Sequence, residues 1–196
     1  MRNQPPKGND TGGVTRAGTL EGMATLRSPD LIAAQPGDAE RLASLSRVAK
    51  LSYRDWALPG WEPPSLAAEQ SRWERRLADL AGWTLIAFDS KGALGTVHFT
   101  DARAERGEGN AIAGRAHLSG LFVVQTRWGE GIGSALLEAA LAEMRGRAYR
   151  KAQLFTATAN QRSRIFYEHR GWRAVATNTH KHDDLLLTGY ERYLVD

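Results

Sequence analysis

Residues Leu118 to Arg147, LSGLFVVQTRWGEGIGSALLEAALAEMRGR, dictate most of what this chain can fold into. Leu121 to Val124 is a short β-prone apolar run of the kind that makes a buried strand. Gly129, Gly131 and Gly133 follow at every second position, where the backbone must bend tightly. From Ser134 on, Leu136, Leu137, Ala140, Leu141 and Met144 recur at helical spacing and define one apolar face. Only Glu138 and Glu143 are charged between Gly133 and Arg145, and both lie off that stripe. The segment therefore predicts strand, glycine turn, then a helix that buries one side.

A glycine-rich turn that opens a helix is suited to an anion. Its unpaired N–H groups point outward, and the helix dipole favours negative charge there. Glycine matters because a phosphate must come closer than a Cβ permits. The spacing is neither the dinucleotide fingerprint Gly-x-Gly-x-x-Gly nor a P-loop, because no Gly-Lys-Ser/Thr follows. From the glycines alone, a plain turn leading into a core helix remains an equal alternative.

The rest of the chain supplies the setting. At 196 residues it suits one domain with a proper core, rich in Trp, Tyr and Phe. Residues 1–28 are rich in Gly, Pro, Asn and Thr and read as a flexible leader; residues 29–196 read as the single domain. The leader carries half of the net charge of +4, so the body is nearly balanced and a nucleic-acid groove is not expected. No cysteine is present, which removes disulfides and thiol nucleophiles and fits a reducing cytoplasm. No apolar run approaches a membrane span, and no secretory signal is recognisable.

Patterning gives the element order β-α-α-β-β-β, glycine turn, α-β-α-β-β. Leu31 to Ala34 reads as the first strand. A helix follows Asp38 as N-cap, with Leu42, Leu45, Val48 and Leu51 on its buried face. Tyr53 to Pro64 reads as a structured loop. Ser65 caps a second helix whose Leu66, Trp73, Leu77 and Leu80 face inward. Trp83–Phe88 and Ala93–Thr100 form a hairpin, and the polar stretch 101–114 a loop. Arg115–Val124 and Gln153–Thr158 are the central strands. A helix over 161–170 ends at Gly171, and strands 173–178 and 185–193 complete the sheet.

The run Arg127-Trp128-Gly129-Glu130-Gly131-Ile132-Gly133 before a Leu-Leu helix resembles the acetyl-CoA-binding motif of the GCN5-related N-acetyltransferases, Gln/Arg-x-x-Gly-x-Gly/Ala. Trp128 stands where that motif has Gln or Arg, a departure that touches one side chain and not the main-chain cradle. The run Asn160 to Trp172, NQRSRIFYEHRGW, is similar to the family's Asn-x-x-(small)-x-x-x-Tyr-x-x-x-Gly-Phe segment. The two motifs lie at the family's separation and in its element order.

The resemblance implies an α/β fold: a mostly antiparallel sheet splayed between its fourth and fifth strands, with helices on both faces. It implies acetyl-CoA as co-substrate and direct transfer of the acetyl group to a primary amine in a ternary complex. Phe122, Val123 and Val124 would pair with the pantetheine arm through their backbone. The amides of Trp128 to Ser134, including Glu130 and Ile132, would wrap the pyrophosphate, with Arg127, Arg162 and Arg164 available for its charge. Asn160, Ser163 and Phe166 complete the cofactor site. Tyr167 falls where the family keeps a tyrosine near the sulfur as general acid; a core aromatic is the other reading. Counting back to the position of the family's glutamate base lands on His117, which can take a proton near neutral pH. His98, Ser119 and ordered water are the alternatives.

By strand alternation, His117, Ser119, Leu121 and Val123 are expected to share one face. Acceptor contacts are expected from Tyr53, Asp55, Trp56, Trp61, Glu69, Trp73 and Tyr190, with Asp55 or Glu69 holding an ammonium. The cluster His180, His182, Asp183 and Asp184 reads as a solvated hairpin tip, so no metal is expected. The sequence is compatible with a homodimer and leaves the acceptor, a small molecule or a peptide, unnamed. A longer acyl group, an alcohol acceptor and a non-catalytic acyl-CoA binder remain alternative readings.

Overall fold

A computed structural model describes residues 1, 29–104, 109–182 and 185–194, and the side chains of all these except 176–182. Residues 2–28, which hold nearly all of the expected leader, lie outside the described residues. So do Asp183 and Asp184 and the side chains of His180 and His182.

The strands are β1 (Asp30–Ala33), β2 (Trp83–Asp89), β3 (Gly92–Arg103), β4 (Ala111–Val123), β5 (Lys151–Ala157), β6 (Arg173–His182) and β7 (Leu185–Tyr193). The helices are α1 (Ala39–Lys50), α2 (Leu66–Ala78), α3 (Ile132–Gly146) and α4 (Gln161–Glu168). The strands form one sheet in the order β1-β2-β3-β4-β5-β7-β6, antiparallel except for β4 beside β5. The element order is the one expected from the sequence. Some boundaries differ: β3 continues to Arg103 and β4 begins at Ala111, paired with each other, β6 runs on to His182, and α4 ends at Glu168. Where β3 and β4 extend, Ala102 is buried, but its neighbours Asp101 and Arg103 are polar and Ala111, Ala113 and Gly114 are small, so no apolar run marks these strand ends.

The sheet is covered on both faces. Leu136, Leu137, Ala140, Leu141 and Met144 of α3 pack with Val97, Phe99, Ala116 and Leu118 and with Tyr167 of α4. Leu42 and Ala43 of α1 and Trp73 of α2 pack over Ile86 on the other face, joined by Phe122. The buried stripe of α1 is Leu42, Ala43, Leu45, Ser46 and Ala49. Val48 is therefore half exposed, pointing away from that stripe, and Leu51 lies in the 3-10 turn beyond the helix. On α2, Ser65 caps as expected, its hydroxyl accepting from Ala68 N–H at 3.2 Å. Leu66 and Leu80 are exposed, however, because Leu66 opens the first turn and the helix ends before Leu80.

Two irregularities of β4 create the site. The strand pairs with β5 only over Arg115–Leu118 against Lys151–Leu154, yet both strands run on, to Val123 and Ala157. They splay beyond Leu118. Against β3 the register jumps from Phe99–Leu118 to His98–Gly120, which makes Ser119 a β-bulge. A bulge inverts the alternation that follows it. Leu118, Leu121 and Val123 consequently pack on the α3 face, whereas Phe122 packs on the α1/α2 face. His117 belongs to this second face, opposite Leu121 and Val123, contrary to the simple alternation expected.

Candidate active site

The splay opens a cleft of about 440 Å³ along the α3 face. Of the residues expected to hold a cofactor, all but Val124, Glu130 and Arg164 line it: Phe122, Val123, Arg127, Trp128, Gly129, Gly131, Ile132, Gly133, Ser134, Asn160, Arg162, Ser163 and Phe166. Val124 faces away, because its N–H donates to the Leu94 carbonyl at 2.9 Å. Backbone directions alternate along a strand, so Val123 N–H points to the opposite edge, into the gap left by β5. The Val123 carbonyl on that edge already accepts from Trp128 Nε1 at 2.9 Å.

Gly129 and Gly131 take φ of +87° and +81°, a left-handed backbone that only glycine adopts freely. Gly131 is the N-cap of α3, and the first main-chain bond of that helix runs from Ala135 N–H to the Gly131 carbonyl. Among the described residues, the amides of Gly129, Glu130, Gly131, Ile132, Gly133 and Ser134 donate to no protein acceptor. Six consecutive unpaired donors at a helix N-terminus, beside a cleft, make a strong anion cradle.

The charge beside this cradle is distributed differently from the sequence expectation. Arg127 is held by Asp89 (2.6 Å) and Glu130 (2.8 Å), so its charge is spent inside the protein. Its hydrogen bond is also the main reason that the Asp89 carboxyl titrates below the usual range. Arg164 turns instead to Tyr190 Oη (3.1 Å) and the Thr158 carbonyl. Arg162 stacks over the Trp128 ring at 4.3 Å. Arg170, which the sequence reading missed, lies over Phe166 at 3.9 Å and donates to Ser134 Oγ at 2.6 Å. No carboxylate pairs with Arg162 or Arg170 among the described residues. Their positions follow from spacing: Phe166 and Arg170 are one helical turn apart. Six free amides and two uncompensated guanidiniums fit a diphosphate, and the open edge of β4 fits an extended arm.

A second cavity of about 340 Å³ opens on the α1/α2 side. It shares Tyr53, Trp56, Leu121, Phe122, Asn160, Ser163 and Tyr167 with the first, so the two spaces meet where β4 and β5 part. Tyr167 is buried, and its hydroxyl has no hydrogen-bond partner among the described residues. Burial pushes its pKa well up, so it stays a phenol across the working pH range. Asn160 caps α4, Oδ1 accepting from Ser163 N–H at 3.0 Å, while lining both spaces. His117 lines the second cavity beside Phe155, and its Nδ1 is buried without a hydrogen-bond partner among the described residues. Burial, then Arg76, lowers its pKa to about 4, so the ring is neutral at pH 7.

The other acceptor candidates divide. Tyr53, Trp56 and Trp61 stack on one another and line the second cavity; burial raises the Tyr53 pKa to about 12. Asp55 sits at the first cleft. Trp73 is core, donating from Nε1 to Ser46 Oγ at 3.0 Å. Tyr190 is also core, bound to Glu168 at 2.8 Å. Glu69 is fully buried and engaged by Lys50 (2.6 Å), Arg72 (3.0 Å) and Ser46 (3.1 Å), so it is not available to an ammonium. His98 is buried against Trp73, with its pKa lowered to about 3 by burial. Among the described residues no group of three His, Asp or Glu is placed to hold a metal, and no helix is long and apolar enough to cross a membrane.

A splayed mixed sheet with a glycine cradle at its parting strands defines an acyl-CoA-dependent acyltransferase architecture. The sequence model of the Acetyltransferase (GNAT) family matches residues 47–172, and the chain belongs to that family. No curated protein matches it. Solved structures do. An acetyltransferase from Thermus thermophilus is 22% identical, covering 86% of this chain and 98% of its own, with a TM-score of 0.66. The PaiA N-acetyltransferase from Thermoplasma acidophilum, solved in complex with coenzyme A, is 18% identical over 85% and 99%, TM-score 0.66. A GCN5-related N-acetyltransferase from Kribbella flavida is 18% identical over 85% and 98%, TM-score 0.63. At these identities the structures support the fold.

Proposed function

We propose that the protein is an N-acetyltransferase that moves the acetyl group of acetyl-CoA directly to a primary amine, with both substrates bound together. One observation carries this reading: two adjoining cavities meet where β4 and β5 part, with Tyr167 lining both. Bound acetyl-CoA supplies the activated acyl thioester. The amides of Gly129 to Ser134, with Arg162 and Arg170, hold its diphosphate, and Val123 N–H is directed at the gap where the thioester oxygen would lie.

Tyr167 donates its phenolic proton toward the leaving sulfur. Its hydroxyl is uncommitted and stays protonated, so it is always a donor. His117 Nδ1 accepts a proton from the amine. A base this weak cannot strip a free alkylammonium of pKa about 10. It suits a nitrogen made acidic by bond formation to the acyl carbon, with the amine arriving neutral.

The test is acetyl-CoA-dependent thiol release with an amine panel, followed by initial-rate analysis. Intersecting double-reciprocal lines are expected. Parallel lines would indicate a covalent acyl-enzyme and contradict direct transfer.

A further inference from the structure

The second cavity is lined by several basic side chains. Its described lining contains Lys50, Arg72, Arg76 and the neutral His117, and no carboxylate. The nearest acid behind it, Glu69, is shared by Lys50 and Arg72 and has its other oxygen on Ser46. Arg76 stands apart. Its guanidinium packs on the Trp73 ring at 4.8 Å and donates one hydrogen bond, Nη2 to the Ser119 carbonyl at 3.0 Å. It has no ion-pair partner among the described residues. Burial and then Arg72 lower its pKa to about 10, so it remains a cation at neutral pH in a place that penalises charge.

A part-buried guanidinium without a counter-ion is costly unless something completes it. Its remaining N–H groups form a planar fork that matches a carboxylate. Around it, Trp56, Trp61, Phe122, Phe155 and Leu187 give the cavity apolar and aromatic walls. At about 340 Å³ the space suits a small ligand or a single residue.

We infer that the acceptor is an amine that also bears a carboxylate, seated with the carboxylate on Arg76 and its amine toward the Tyr167 junction. This rests on the reading of the second cavity as the acceptor's seat. It excludes polycations such as polyamines as preferred substrates, since Lys50 and Arg76 would repel them.

The experiment uses the full chain saturated with CoA. Calorimetry compares N-acetylated phenylalanine, leucine and glutamate with their C-terminal amides, and rate assays compare the free amino acids with their amides, spermidine and O-phosphoethanolamine. At least one acid is expected to bind about tenfold or more tighter than its amide, with the difference appearing in KM more than kcat. Arg76→Gln should erase that difference and leave CoA affinity unchanged, while Arg76→Lys restores part of it. If Arg76→Gln does not fold, the wild-type acid–amide comparison decides alone. Acids and amides that bind equally, or a preference for spermidine or the phosphate amine, would overturn the inference while leaving acetyl transfer intact. Failure of the wild-type chain to bind CoA would overturn both.

Discussion

The two cavities that meet at the splay are built from different materials. The cradle of the cofactor cleft is made of main chain, with six unpaired amides, two left-handed glycines and the bare edge of β4 in a single stretch of sequence, and the side chains of Arg162 and Arg170 stand beside it. The acceptor cavity is made of side chains from α1, α2, β4 and β5, gathered around a buried carboxylate shared among cations. Main-chain donors cannot be changed by substitution, so they suit a ligand that never varies. A cluster of side chains can be retuned, so it suits the partner that distinguishes one acetyltransferase from another. The same difference makes the acceptor half the more fragile and the more pH-sensitive.

The largest expected effect breaks the acceptor half alone. Glu69→Leu leaves the buried Lys50 without its counter-charge and should cost about 3–5 kcal/mol in urea unfolding. At the junction of the halves, Tyr167→Phe should lower kcat about a hundredfold while the calorimetric affinity for CoA stays within about twofold. Equal turnover would show that the phenol donates nothing.

Protonation offers the next contrast. His98 and His117 both lie on the acceptor face, with pKa values depressed to about 3 and about 4 from 6.5. The folded state binds fewer protons than the unfolded chain between those values and 6.5. Stability is therefore full above pH 6.5 and falls by roughly 1.4 kcal/mol per pH unit per histidine as pH drops through that window. Denaturant titrations at pH 7 and pH 5 should show the loss, and His117→Gln should make it smaller. An unchanged loss would mean that His117 is protonated in the native fold.

The smallest effect separates two arginines of the cofactor cleft. Arg162→Ala should weaken CoA binding about tenfold, because that guanidinium pairs with no carboxylate among the described residues. Arg127→Ala should change it less than about threefold, because Asp89 and Glu130 already consume its charge. Titration of CoA into both variants ranks them, and the reverse order would contradict the assignment.

What the sequence made legible follows the same divide. The strand, glycine turn and helix of 118–147 are local, and positive φ at Gly129 and Gly131 is what alternating glycines foretell. The bulge at Ser119 left no mark, because no residue type there demands it, and it reversed the expected facing of His117. The buried cluster was readable only in part. Glu69, Arg72 and Arg76 fall on the same face of α2 as Trp73, at spacings of three and four, and Trp73 was expected to point inward. Charges on the inward side of a helix were the available signal. The partners Ser46, Lys50 and Ser119 come from distant segments and needed the fold.

The central claim is that main-chain amides around Gly131 grip a diphosphate, and comparing CoA with pantetheine by calorimetry on the wild-type protein tests it most directly. Pantetheine keeps the arm that lies along β4 and lacks the diphosphate. The account predicts that pantetheine binds about a hundredfold more weakly, roughly 2.7 kcal/mol. Equal affinity for the two would show that the arm alone is recognised and that the amides of Gly129 to Ser134 hold nothing.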